Sequence, residues 1–84
     1  MPFANRWITS TMFGQVREVR RTVGTLTCRI RPVRFGVGFH YVILNRIGVD
    51  ELMVAHGREV TVNDCKERCD SYVDAVSHGL YTDN

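Results

Sequence analysis

Between positions 62 and 80 the apolar residues Val62, Cys65, Cys69, Val73, Val76 and Leu80 recur at three- and four-residue steps. That period lays them in one stripe along an α-helix. Thr61 stands at the N-cap position with Asp64 three residues on, a shortened capping box, and Val60 and Cys65 are spaced for a hydrophobic staple. Asp64 and His78 complement the two ends of the helix dipole. Gly79 is placed to terminate the helix as its C′ residue. The pattern predicts a helix over 61–79.

Upstream the period changes to two. Leu26, Cys28 and Ile30 alternate with Thr25, Thr27, Arg29 and Arg31, a half-buried strand that Pro32 ends. Phe39 to Leu44 is rich in β-branched and aromatic residues and reads as a second strand, reached through the turn Phe35-Gly36-Val37-Gly38. A third strand, about Glu51 to His56, follows the turn from Arg46 to Asp50 and stops at Gly57. The first 24 residues fit two periods. Met12, Val16, Val19 and Val23 suit a helix that Gly14 weakens. Trp7, Thr9, Thr11 and Phe13, then Gln15 to Arg20, suit strands, and the turn signals Gly14 and Val23-Gly24 favour these. The expected fold is α+β: an antiparallel meander of three to five strands with one C-terminal amphipathic helix packed on one face.

Composition narrows what such a fold can do. Eighty-four residues, 44% hydrophobic and 24% charged, make one folded domain over 1–84 with a minimal core and little depth for a cleft. Seven Gly but only two Pro leave no linker. Residues 1–10 lack the apolar stretch of a signal peptide, and no window approaches the run of about 20 apolar residues that spans a bilayer. The three cysteines, Cys28, Cys65 and Cys69, are an odd number and are expected as reduced thiols, which implies a cytoplasmic setting and no membrane partner.

Charge is divided along the chain. Residues 1–48 hold eight arginines against Glu18 alone, a formal +7, whereas residues 49–84 hold three bases against eight acids, a formal −5. Arg29 and Arg31 share the strand face opposite Leu26, Cys28 and Ile30. If residues 15–20 pair with that strand, Arg17 or Arg20 joins them together with Arg21, and Arg34 lies close in sequence. Phe35, Phe39 and Tyr41 are the neighbouring aromatics. Guanidinium groups bind phosphate and carboxylate bidentately, and Arg with aromatics is the favoured composition of protein hot spots. Asp64, Glu67, Asp70 and Asp74 give the helix the opposite sign.

Reactive constellations are not visible. Cys65 and Cys69 lie four apart, but a structural zinc needs a second close-spaced pair, and both fall on the core stripe. None of His40, His56 and His78 has an adjacent Ser, Cys or carboxylate arrangement that marks a nucleophile and base. Gly36-Val37-Gly38 joins two strands instead of leading into a helix N-terminus, so it is a turn and not a phosphate cradle. No catalytic residue, metal or cofactor is expected.

The strand, strand, strand, helix order over residues 25–79, with "GREVTVNDCKERCDSYVDAV" opening at Gly57, resembles the double-stranded-RNA-binding fold and its shortened relative in Hic-type antitoxins. That family places lysines in the first helical turn, where Val62, Asn63 and Asp64 stand here, so the resemblance implies the fold without the RNA grip. Trp7, "GTLTCRIRP" at 24–32 and the terminal helix resemble very small phage-encoded proteins that include anti-CRISPR inhibitors. That second resemblance implies an inhibitor docking on a nucleic-acid-processing complex, such as a CRISPR effector subunit.

Two functions follow as expectations. The first is a non-enzymatic protein-binding module. In it, either the acidic helix mimics nucleic acid on a basic groove or the Arg17, Arg20, Arg21, Arg29, Arg31 and Arg34 set clamps an acidic surface. The alternative is direct nucleic-acid or antitoxin-like binding through those arginines, with salt-sensitive affinity. Tyr72, Tyr81 and the sheet edges are candidate contacts for a homodimer.

Overall fold

The computed structural model describes residues 6–77. Five strands, β1 (Ile8–Met12), β2 (Gln15–Val23), β3 (Leu26–Pro32), β4 (Phe39–Ile47) and β5 (Asp50–Glu59), precede one helix, α1 (Val62–Ser77). The strands form a single antiparallel sheet in chain order β1-β2-β3-β4-β5. The α+β meander with a C-terminal helix is therefore the fold. Both stretches of the N-terminal segment that fitted either period are strands.

Three of the four connections are two-residue hairpin loops, which force this order. Phe13 and Gly14 both have positive φ, 54° and 76°, the requirement of a type I′ turn. Glycines open the loops at Gly24-Thr25 and Gly48-Val49. The longer β3–β4 loop is closed by Val33 N–H donating to the Gly38 carbonyl at 3.0 Å.

α1 lies across β3, β4 and β5. Its N-terminus is capped as the spacing predicts: the Asp64 amide donates to Thr61 Oγ1 at 3.1 Å. Val19, Leu26, Cys28, Ile30 and Ile43 from the sheet and Cys65, Cys69 and Val73 from the helix form the buried core. Fully burying an Ile such as Ile30 or Ile43 contributes about 1.5–3 kcal/mol. Trp7, Phe39, Tyr41, Tyr72 and Val76 pack half-buried around it.

Three expectations change. The hydrophobic staple does not form: Val60 is exposed, while Cys65 is buried and directs its thiol to the Phe39 carbonyl at 3.7 Å. β4 runs on to Ile47 and β5 runs through Gly57 to Glu59. Gly57 is a strand residue because Tyr41, its partner in register, covers it. The expected helix end, His78 and Gly79, and the last stripe residue Leu80 lie outside the described residues. No helix among the described residues is long and apolar enough to cross a membrane.

Candidate functional site

Among the described residues one face of the five-stranded sheet carries α1 and the other is bare. On the bare face the strand registers align side chains in rows. Arg20, Arg29, Val42 and His56 follow one another across β2 to β5, and Thr22, Thr27, Leu44 and Met53 form the next row. Arg31, His40 and Arg58 make a third row, and Arg46 faces Glu51 at the end of the sheet.

The electrostatics of this face are unbalanced. Arg31 is held by Glu18, through Nε at 2.8 Å and Nη2 at 2.7 Å. Arg20, Arg29, Arg46 and Arg58 have no ion pair among the described residues. Arg20 and Arg29 stand directly opposite one another, and like charges so placed destabilise a strand pair. Arg29 Nε is moreover buried without an acceptor, which costs about 1–3 kcal/mol. Such a face is poised to receive an anionic group.

The bare face differs in composition from the expected basic patch. Arg17, Arg20, Arg29 and Arg31 do belong to it. Arg21 does not: its side chain points under α1 and pairs with Asp70. Parity explains this, because Arg20 and Arg21 are consecutive strand residues and must face opposite sides. Arg34 lies in the β3–β4 loop with its guanidinium 5.9 Å from the Phe35 ring centroid. Phe39 and Tyr41 pack against the core, so among the described residues the aromatic rings of the bare face are the exposed imidazoles of His40 and His56.

The acidic helix is partly consumed within the molecule. Asp70 is committed to Arg21, and Asp74 is also engaged. Asp64 and Glu67 remain exposed. The four acids therefore do not form one outward stripe. Tyr72, a candidate dimer contact, is half-buried against the core, and Tyr81 lies outside the described residues.

One end of the sheet carries a second feature. The Phe13-Gly14 turn, the 33–38 loop and the entry to α1 all lie at the end where β2 begins and β3 stops. Phe13 there is 95% exposed and Phe35 82% exposed. Phe13 holds a left-handed backbone conformation that Gly, Asn or Asp would adopt at lower cost. An aromatic that is both solvated and conformationally costly contributes nothing evident to the fold.

Arg46, Arg58 and Phe13 were absent from the sequence-derived site. Arg46 shares parity with Val42 and Leu44, and that signal was readable once β4 is extended. Arg58 was not readable, because a bulge opposite the Ile43/Leu44 junction of β4 inverts parity along β5. Phe13 gave no signal, since Phe-Gly is an uncommon type I′ pair.

The cysteines are structural in position. All three are fully buried. Cys69 donates its S–H to Cys28, which lowers the Cys28 thiol and raises that of Cys69, and burial raises Cys65. Among the described residues no group of three or more His, Cys, Asp or Glu side chains is placed to hold a metal ion. No family model, no curated protein and no solved structure matches the chain.

Proposed function

We propose that the chain is a non-enzymatic protein-binding module that docks through the Phe13 and Phe35 end of the sheet and the adjoining arginines. The observation that carries this is Phe13, an exposed aromatic ring held at a φ of 54°. Strained, solvent-facing residues concentrate at functional positions. Aromatic anchors beside arginines are the usual hot-spot chemistry. Val42, Leu44 and Met53, interleaved with the charged rows, add the apolar component of a protein interface.

The specific form of this reading is an inhibitor of the phage-encoded kind that occludes a nucleic-acid-processing complex. Small size, the split charge and the Trp7-led layout support it. The competing reading, direct nucleic-acid binding, is favoured by the unpaired Arg20, Arg29, Arg46 and Arg58. Against it stands the absence, among the described residues, of a Phe, Tyr or Trp ring on the bare face, where only the imidazoles of His40 and His56 offer a stacking surface of the kind that single-stranded recognition uses.

Affinity capture after nuclease treatment, read by mass spectrometry, tests the proposal with two baits. The native chain is expected to retain a defined partner that Phe13→Asn combined with Phe35→Ser loses. Equal retention by both baits would sink it. Retention on oligonucleotides that falls steeply with salt would transfer the role to the arginine face.

A further inference from the structure

At the end of the bare face away from Phe13, the strands enclose a hollow of about 250 Å³. Arg20, Thr22, Thr27, Arg29, Arg46 and Glu51 line it, and the Gly24-Thr25 turn closes one end. This is smaller than the roughly 300–1,000 Å³ of pockets that hold drug-sized ligands. It suits one small charged group.

The geometry points to a tetrahedral oxyanion site, whose ligand class is a phosphate monoester. Three guanidiniums against the single carboxylate of Glu51 leave a formal excess near that of the opposite sign on a monoester, roughly −1.5 to −2 at neutral pH. The cross-strand pair Arg20 and Arg29 is the centre of the site. Two like charges held face to face without an internal acid lack their complement, and an anion between them supplies it. Arg29 Nε, buried and without an acceptor, is a donor already removed from water. Thr22 and Thr27 are themselves partners in register, so two hydroxyls stand side by side one step along the strands. Hydroxyl and guanidinium donors from two strands match the several acceptor oxygens of one tetrahedral group, whereas a carboxylate has only two oxygens to offer.

The monoester is either free or carried on a protein side chain, and the chemistry recognised is the same. Because the hollow and the Phe13 end are different surfaces, the anion site is measurable on the isolated chain without any partner.

Titration of the isotopically labelled chain with inorganic phosphate, at ionic strength held constant with chloride, tests the site by amide chemical shifts. Saturating shifts are expected at Arg20, Thr22, Thr27 and Arg29. Arg29→Gln is expected to weaken the apparent affinity about tenfold or more. Arg68→Gln, on α1 and paired with Glu59 away from the hollow, is expected to change it by less than about twofold. Arg29→Gln is judged only if its spectrum retains native dispersion, and Thr27→Val, expected to weaken binding a few-fold, provides the second variant. A phosphoserine peptide competing for the same resonances, more tightly than inorganic phosphate, would assign the source to a protein side chain. Weaker competition would assign it to the free anion. Shifts that rise linearly without saturation, or that chloride reproduces, overturn the site. So does a short oligonucleotide that binds the hollow equally well with and without a terminal phosphate.

Discussion

Tyr41 lies over Gly57, its partner in register on β5, so closely that a Cβ at position 57 would stand 2.6 Å from the ring Cζ and 2.7 Å from Cε2. A glycine that reads as a strand stop is thus a strand residue, its missing side chain replaced by a neighbouring ring. Covering an edge-strand glycine with a cross-strand aromatic is a known way to restore packing there. Gly57→Ala should therefore cost about 1–3 kcal/mol, the range for overpacking. Denaturant unfolding of Gly57→Ala, Tyr41→Ala and the double variant measures it. Partial recovery in the double variant is expected, because removing the ring removes the clash. Strict additivity would show that ring and glycine do not interact.

Phe13 poses the converse case. Its side chain is almost wholly solvated, so replacing it sacrifices little burial. Phe13→Asn places a residue that tolerates positive φ in a type I′ turn before Gly14 and should stabilise the chain by about 1 kcal/mol. Thermal unfolding checks this, with a rise of several degrees expected for a domain of this size. A gain in stability together with loss of partner capture is the signature of strain retained for binding. An unchanged or lowered midpoint would remove the strain argument.

The fold was legible because its signals are local and mutually consistent. Period three-to-four along α1, the Thr61 cap, period two in β3 and glycine at the hairpins each depend on neighbours in sequence. The site was only half legible, because it depends on parity across strands. Arg29 and Arg31 share a visible alternation, and Arg20 follows from pairing β2 with β3. Assigning Arg21 to the same face contradicted that alternation. The β5 bulge hides Arg58, since one inserted residue exchanges the two faces beyond it. The acids of α1 looked like one outward surface only while Arg21 had no known position.

That position makes Asp70 a residue of structure. The Arg21 side chain is only 17% exposed, against 42% for Asp70. Removing the acid leaves a largely desolvated guanidinium without this partner, a loss characteristic of charged hydrogen bonds, about 1–3 kcal/mol. The Arg68–Glu59 pair at 3.0 Å is a surface bridge with Arg68 64% exposed, and breaking such a pair costs about 0–1 kcal/mol. Asp70→Ala should therefore lower the unfolding midpoint clearly more than Glu59→Gln. Equal effects would mean that the Arg21 pair is as solvated as the surface one.

The buried thiols make stability depend on alkaline pH. Burial raises Cys65, and the S–H bond to Cys28 followed by burial raises Cys69; burial also raises Tyr41. Cys28 moves the other way, because it accepts that S–H bond. A group raised in the folded state adds stability that is whole below its unfolded value and is lost as pH climbs toward its folded one. For cysteine the unfolded value is about 8.5. Above it the unfolded chain releases thiol protons that Cys65 and Cys69 retain when folded, so unfolding gains with each step in pH. Cys28 opposes this, since its lowered value adds stability above the unfolded one, but it is one thiol against two, and Tyr41, with an unfolded value of about 10, adds to the loss only beyond that pH. Urea midpoints should therefore hold from about pH 7 to 8 and fall between about pH 8.5 and 10. Cys65→Ala removes one of the raised groups and leaves the Cys28–Cys69 pair in place. Its midpoint should start lower and fall less steeply over the same interval. An unchanged slope in Cys65→Ala would assign the alkaline loss to groups other than Cys65.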